Sequence, residues 1–141
     1  MKIDGTRAHD RATELVLAYY AAFNRGDWVA MQALLSDDVV HDSTQGARET
    51  GKAAFAAFLQ RMARNSREQL RDVVVLASPD GARAAAEYMV HGEYLVAEDG
   101  LPPARGQRYV LPGGAFFDIA DGLIARVTNY YNLEDWLAQV R

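Results

Sequence analysis

The sequence predicts one α+β domain in which three N-terminal helices precede a curved antiparallel sheet. The chain has 141 residues, which is the length of a single hydrophobic core. Apolar residues recur at helical spacing in the first half, whereas the second half holds four long strand-like segments separated by turn residues. A strongly twisted sheet of this kind can curl around a helix and leave an apolar pocket between the two.

The first half of the chain predicts three helices and a short first strand. A helix over residues 6–25 ends where Gly26 suits a left-handed backbone, and Asp27 caps a second helix over residues 28–35. A turn at 36–38 and a strand at 39–42 follow. After a loop over 43–50, a third helix is predicted at 52–65.

Four long strands and a closing helix are predicted in the second half. The strands are residues 70–77, residues 83–96, residues 107–119 and Leu123–Tyr131, followed by the helix Leu133–Val140. Asp121 and Gly122 predict a tight hairpin between the last two strands. Pro112-Gly113-Gly114 predicts a bulge or bend inside the third.

Composition excludes several classes of function. The net charge of −4 argues against a nucleic-acid surface, and no apolar run approaches the roughly 18 residues that cross a bilayer. No apolar signal segment follows Met1, and the absence of cysteine suits a reducing cytoplasm, where we expect the protein. His9, His41 and His91 lack metal-ligand spacing, and no glycine-rich phosphate loop precedes a helix, so we expect neither metal nor cofactor.

Three phrases of the sequence resemble the ketosteroid isomerase and nuclear transport factor two-like superfamily. They are the helix end at 19–27, the acidic stretch and strand at 35–42, and the hairpin at 121–127. The chain looks most similar to the ketosteroid isomerase-related, SnoaL-like proteins. That resemblance implies a cone-shaped α+β barrel, a pocket beside the first strand, and dimers packed through the outer sheet face.

The resemblance also implies roles for individual residues. Asp42 falls where the isomerases carry their proton-shuttling aspartate, and Tyr19 falls where they carry a tyrosine that donates to the oxyanion. Ala115 falls at or next to the place of their second donor and cannot donate, so a true steroid isomerase is not expected. In an apolar pocket, burial would raise the pKa of Asp42 towards working pH. The alternative is that Asp42 caps the following loop and Tyr19 belongs to the core.

Further residues are predicted to contact the ligand. Val127, Asn129 and Tyr131 share one face of the last strand, which the superfamily turns towards the cavity. The remaining predicted contacts are His41, Leu111, Ala115 and Phe117. Alternatively, His41 and Asn129 are structural and Tyr131 fills a dimer seam. The sequence leaves the roles of two charged residues open. Arg48 either contacts an acidic substrate or pairs with Glu49, and Glu87 either points inwards or is solvated.

Two functions are consistent with these residues. The first is a cofactor-independent proton-transfer enzyme of the isomerase, dehydratase or cyclase kind, acting on a small apolar or carbonyl-bearing ligand. The second is a non-catalytic small-ligand binder or dimeric adaptor, which a filled barrel would favour. A homodimer is predicted in either case, because the strands carry Tyr88, Tyr94, Phe116 and Tyr130 and large apolar residues on the outer face need a partner.

Overall fold

The computed structural model describes residues 5–43 and 45–141, with the side chains of residues 5 and 6 outside the description. The helices are α1 (Gly5–Asn24), α2 (Trp28–Ala33), α3 (Lys52–Asn65) and α4 (Leu133–Val140). The strands are β1 (Leu35–Asp42), β2 (Glu49–Thr50), β3 (Ser66–Ala77), β4 (Arg83–Tyr94), β5 (Gln107–Ala120) and β6 (Leu123–Tyr131). None of the helices in the described ranges is both long and apolar enough to span a membrane.

The strands form one curved, unclosed sheet in the order β2-β1-β6-β5-β4-β3. Neighbouring strands are antiparallel except β1 and β6, which run parallel. The helices α1 and α3 cover one face, and their Val16, Tyr20 and Phe55 share a buried core with that face of the sheet. The α+β class with helices against a curved sheet is therefore confirmed, with β2 as an additional short strand.

Two of the predicted turns have the expected backbone. Gly26 adopts a φ of +70°, and the Asp27 carboxylate accepts a hydrogen bond of 3.0 Å from the Ala30 amide at the start of α2. At the last hairpin, both Asp121 and Gly122 have positive φ, and Ala120 pairs with Leu123. These are the features of a tight two-residue hairpin.

The predicted end of the second helix is wrong. The helix α2 ends at Ala33, and Leu35 begins β1 as a fully buried residue paired with Ile124. Residues 36–38, predicted as a turn, lie inside β1, where the pairing register shifts between Leu35 and Val40. Residues 36–38 form the irregular stretch of β1 between its two parts that pair with β6.

The sequence predicts a bulge or a bend at Pro112-Gly113-Gly114, and the pairing with β4 shows no bulge there. Every residue of β5 from Gln107 to Asp118 pairs with β4 in one unbroken register. Proline is tolerated because β6 ends opposite Gly113, so one edge of β5 is unpaired at Pro112.

The strand β3 begins at Ser66, four residues earlier than the sequence predicts, directly after α3. The Asn24 side chain at the end of α1 stabilises this start. Its amide donates to the Leu70 carbonyl at 2.9 Å and its oxygen accepts from the Leu70 amide at 2.8 Å. The early start places Ser66, Glu68 and Leu70 on the face of the sheet that looks towards the helices.

Candidate functional site

A cavity of about 650 Å³ lies between the helices and the inner face of the sheet. This volume is within the range of small-molecule sites, about 300–1,000 Å³. The walls are mainly aromatic and aliphatic side chains from α1, α3, β3, β4, β5, β6 and α4. Among the residues predicted to contact a ligand, four line the cavity: Tyr19, Leu111, Asn129 and Tyr131.

The wall contains a half-buried carboxyl group that accepts a hydrogen bond from a tyrosine hydroxyl. The Tyr109 hydroxyl donates a hydrogen bond of 2.5 Å to Oε2 of Glu68, and both residues line the cavity. Burial raises the pKa of Glu68 above its ordinary value of 4.5, while the bond from Tyr109 opposes that rise. Burial raises the pKa of Tyr109 as well, so its hydroxyl stays protonated and remains a donor. This carboxyl group can act as a base or acid at moderate pH.

Two glycines make room for the tyrosines beside Glu68. Gly92 pairs with Tyr109, and a Cβ at Gly92 would lie 2.2 Å from the Tyr109 ring. A Cβ at Gly113 would lie 2.8 Å from the ring of Tyr88, which also lines the cavity. Both glycines are therefore required by close packing in the cavity wall.

Tyr19 and Tyr20 bring aromatic rings from α1 to the cavity. The Tyr19 ring packs edge-on against Phe117 at 5.7 Å, and Tyr20 lies 5.1 Å from Tyr88. Burial raises the pKa of both α1 tyrosines, so their hydroxyls stay protonated and can act as donors. Tyr19 therefore lies at the cavity, and its role as a donor to a ligand stays a prediction.

Asp42 does not line the cavity, and the prediction of a raised pKa is wrong. Its carboxylate forms two bonds with the Arg48 guanidinium, at 2.7 and 2.9 Å, and accepts a third from the Thr128 hydroxyl at 2.9 Å. The hydrogen bonds from Arg48, foremost among the causes, lower the pKa of Asp42 to about 2. Because neighbouring strand residues point to opposite faces, the inward place at the end of β1 belongs to His41.

Asp42 belongs to a charged network on the outer face of the sheet. Arg126 forms two bonds with Asp118, at 2.9 and 3.0 Å, and lies next to Thr128. Arg48 is thus paired with Asp42 and not with Glu49, the alternative raised by the sequence. Glu87 is exposed on this face, so of the two alternatives left open by the sequence, pointing inwards or being solvated, the second holds.

His41 is buried behind the cavity wall. Its side chain packs against Phe55 and Phe58, and Nε2 lies 2.9 Å from the Asn129 amide nitrogen. Burial lowers the pKa of His41, so the neutral ring accepts from Asn129 through Nε2. Ala115, Phe117 and Val127 are buried with it in the core and do not line the cavity, so the predicted ligand contacts at these four positions are wrong.

Next to Tyr109, whose ring lies 6.0 Å from that of Trp136, the cavity wall combines aromatic rings with acidic and amide groups. The Tyr94 and Trp136 rings meet edge-on at 5.0 Å, and the Asn65 amide donates to the Glu98 carboxylate. Asn65 is 8% exposed, and among the described residues its side-chain oxygen has no hydrogen-bond partner. No group of three histidine or acidic residues within the described ranges is arranged to hold a metal ion.

Known proteins share the fold of this chain. The model of the SnoaL-like domain matches residues 16–127. The chain belongs to the SnoaL-like domain family. No curated protein sequence matches the chain.

Solved SnoaL-like and related structures extend the comparison. A provisionally named polyketide cyclase from Xanthomonas campestris pv. campestris is 64% identical, with a TM-score of 0.92 over 95% of this chain and 99% of that one. A protein of the same provisional name from Pseudomonas putida KT2440 is also 64% identical, with a TM-score of 0.91 over 92% and 98%. An LEH-like epoxide hydrolase of M. tuberculosis is 22% identical over 94% and 90%, with a TM-score of 0.73, and shares the fold alone.

The sequence analysis of this SnoaL-like chain missed Glu68 and Tyr109. Glu68 lies before the predicted strand at 70–77, so the sequence analysis did not place it on the same face as Leu70. Extending the period of two backwards from Leu70 would have placed Glu68 on the inner face. Tyr109 alternates with Leu111, which was predicted to contact the ligand, so the same period would have included it.

Proposed function

We propose that this SnoaL-like protein is a cofactor-independent enzyme that transfers a proton on a small, apolar, carbonyl-bearing molecule. The observation that carries the proposal is the half-buried Glu68 carboxyl group in the wall of the cavity, with a raised pKa and a 2.5 Å bond from Tyr109. A carboxylate in such surroundings is a stronger base than one in water. Glu68 takes the role that the sequence assigned to Asp42.

In the proposed reaction, the Glu68 carboxylate removes a proton from a carbon next to the carbonyl group. The electron pair of that C–H bond moves into the new carbon–carbon double bond, and the carbonyl π electrons become the enolate oxygen's charge. A protonated phenol of the cavity, for which Tyr19 is the candidate, donates a hydrogen bond to that oxygen. Glu68 then returns the proton to the same or another carbon, and Tyr109 holds its carboxyl group in place.

Hydrogen–deuterium exchange tests the proposal without a known product. A panel of cyclic and aromatic ketones is incubated with the protein in D₂O, and mass spectrometry measures deuterium next to the carbonyl. We expect catalysed exchange with at least one ketone and a loss of about 10²–10⁴-fold in Glu68→Gln, the usual contribution of a general base. Glu87→Gln removes the same charge from the exposed face of β4 and should leave the rate unchanged.

Catalysed exchange that survives in Glu68→Gln would refute the role of Glu68. If no ketone exchanges but the cavity retains ligands, the protein is a binder, the second candidate function. The presence of a cavity of about 650 Å³ argues against the filled barrel expected of a dimeric adaptor.

We also propose a homodimer formed through the outer face of the sheet. Four large apolar side chains there are about half exposed or more: Val74, Leu76, Phe116 and Tyr130. Phe116 and Tyr130 stack edge-on at 5.7 Å, whereas Tyr88 and Tyr94, which the sequence analysis counted for this argument, face inwards. A monomer that left this surface in water would be unusual.

Light scattering tests the dimer. We expect a mass of twice 15.6 kDa at micromolar concentration and a single 15.6 kDa mass for Phe116→Arg. The control is Val29→Arg, which places the same charge at an exposed position of α2 and should leave the dimer intact. A wild-type protein that scatters as a monomer would contradict the proposal.

A further inference from the structure

The closing helix α4 covers an edge of β5 that β6 does not reach. The strand β6 ends at Tyr131, opposite Gly113, and within the described ranges the earlier part of β5 has no strand on that side. The Gln139 side chain takes the place of a strand there. Its oxygen accepts from the Val110 amide and its nitrogen donates to the Val110 carbonyl, both at 2.8 Å. The helix is therefore anchored to the backbone of the residue next to Tyr109.

Contacts at the end of α4 fix its position further. The Gln107 side chain donates to the Val140 carbonyl at 2.7 Å, and the Val140 side chain is fully buried. At eight residues, α4 is too short to be stable as a helix by itself, so its place depends on these contacts with β5.

The anchored helix brings Trp136 to the phenol that donates to Glu68. The Trp136 ring is half-buried, lines the cavity and lies edge-on to the Tyr109 ring at 6.0 Å. Burial and the charge of Glu68 raise the pKa of Tyr109, and hydrogen bonds from Ser66 and Trp136 oppose that rise. Because an indole N–H only donates, Trp136 bonds to the phenol oxygen and leaves the phenol hydrogen for Glu68.

The Tyr109 ring has little freedom between its neighbours. A Cβ at Gly92 would lie 2.2 Å from the ring, so the ring packs directly on the backbone of β4, while Trp136 contacts it from α4. A phenol that is held at its ring and at its oxygen keeps its hydrogen on Glu68. That bond favours the ionised carboxylate, so it lowers the pKa of Glu68 against the effect of burial.

We propose that Trp136 is a positioning residue for Glu68: α4 holds the indole against Tyr109, and Tyr109 in turn keeps the carboxyl group in place in the cavity wall. The effect of Trp136 on Glu68 passes through Tyr109. The inference rests on the proposed function for its part in catalysis, whereas the coupling between Trp136 and the carboxyl group is measurable without any substrate.

Three phenols are the titratable groups that face Glu68. Tyr109 bonds to it, and the charge of Glu68 contributes to the raised pKa values of Tyr88 on β4 and Tyr131 on β6. Burial is the largest cause of the rise at each phenol, so all three stay neutral at moderate pH. Glu98 also lines the cavity but is not among the causes that shift the pKa of Glu68. A change in the pKa of Glu68 therefore reports the bond from Tyr109.

Titration of the Glu68 carboxyl group by NMR tests the coupling. Tyr109→Phe keeps the ring and removes the donor, so the pKa of Glu68 should rise by about one unit, the size of one hydrogen bond to a charged group. Trp136→Phe should raise it by about half as much, because the Tyr109 hydroxyl remains but loses its fixed position. Added to Tyr109→Phe, Trp136→Phe should have no further effect, since the two residues act on Glu68 as one unit.

Two more variants separate positioning from packing. Gln139→Met keeps the length of the side chain and loses both bonds to Val110, so it should also raise the pKa of Glu68. Trp28→Phe is the matched control: it removes the other indole of the chain, which packs against Phe23 at 5.7 Å, and should leave the pKa of Glu68 unchanged.

The ketone exchange assay gives a second readout of the same coupling. A higher pKa means that a higher pH is needed to form the carboxylate. The acidic limb of the pH–rate profile should therefore move upwards in Tyr109→Phe and Trp136→Phe by the shifts that NMR measures.

Two results would overturn the inference. One is a pKa of Glu68 that Trp136→Phe leaves unchanged, and the other is a shift by Trp136→Phe that persists in full when Tyr109 is already phenylalanine. Coupling by NMR without catalysed exchange of any ketone would support the inference and contradict the proposed function. Exchange that depends on Glu68 without coupling would do the reverse, so the two failures are distinguishable.

Discussion

Asp42 on the outer face of the sheet and Glu68 on the inner face are both carboxylic acids, but their surroundings shift their pKa values in opposite directions. Asp42 accepts bonds from Arg48 and Thr128, and its pKa falls to about 2. Glu68 has no arginine among the causes of its shift, and burial raises its pKa. The difference shows that the face on which a strand residue lies decides whether its carboxyl group is a structural anion or an available base.

The largest expected difference between the two carboxyl groups is in catalysis. In the ketone exchange assay, Glu68→Gln should lose about 10²–10⁴-fold, whereas Asp42→Asn should retain activity within about threefold of wild type. The physical reason is access, because Glu68 lines the cavity and Asp42 is bonded to Arg48 outside it. An exchange rate that collapses in Asp42→Asn but not in Glu68→Gln would reverse the assignment and restore the prediction made from the sequence.

The sequence predicted the fold better than it predicted the site. Helical spacing and turn residues are local signals, so α1, α3, the hairpin at Asp121 and Gly122, and the four long strands were all predictable. The period of two also predicts that Asn129 and Tyr131 share one face of β6, whereas it was the resemblance that implied that this face turns towards the cavity, which both residues line. Each of these features depends on residues close together in the chain.

The position of the functional carboxyl group depended on information that is not local. The direction of Asp42 follows from the pairing of β1 with β6, which sets Asp42 beside Thr128, 86 residues away. The start of β3, and with it the place of Glu68, follows from pairing with β4, in which Ser66 lies opposite Tyr94 and Glu68 opposite Gly92. A shift of one residue along a strand exchanges the two faces, so a resemblance that aligns Asp42 approximately cannot distinguish it from His41.

A substitution in β4 tests how strictly the inner face is packed. Gly92→Ala would place a Cβ 2.2 Å from the Tyr109 ring, so the ring must move away from its position beside Glu68. We expect thermal unfolding to show a loss of about 1–3 kcal/mol, the usual cost of overpacking, together with reduced ketone exchange. The matched control is Glu87→Ala on the outer face of the same strand, which should change stability by less than about 0.5 kcal/mol. A Gly92→Ala protein with wild-type stability and exchange would mean that Tyr109 can be displaced without consequence.

The smallest expected effect concerns the contribution of Asp42 to stability, and pH gives it a sign. The folded pKa of about 2 lies below the ordinary value of 3.8, so the unfolded state binds more protons between these values. The stabilisation is therefore complete above about pH 4 and is lost as the pH falls through about 2. Because Arg48 is largely exposed, solvent screening limits the contribution of Asp42 to about 1 kcal/mol.

Asp42→Asn should lower the unfolding free energy by about that amount at pH 7 and by little near pH 2. Asp37→Asn is the control, since Asp37 is fully exposed on the same strand with a looser contact of 3.7 Å to Lys52, and it should change stability little at either pH. The contribution of Glu68 to stability changes with pH in the opposite direction. Because its pKa is raised in the folded state, the unfolding free energy falls as the pH rises above 4.5, and Glu68→Gln should remove this fall. If Asp42→Asn lowers the unfolding free energy as much at pH 2 as at pH 7, the bonds to Arg48 and Thr128 do not depend on the charge of the carboxylate. Asp42 would then not be the structural anion that the comparison with Glu68 requires.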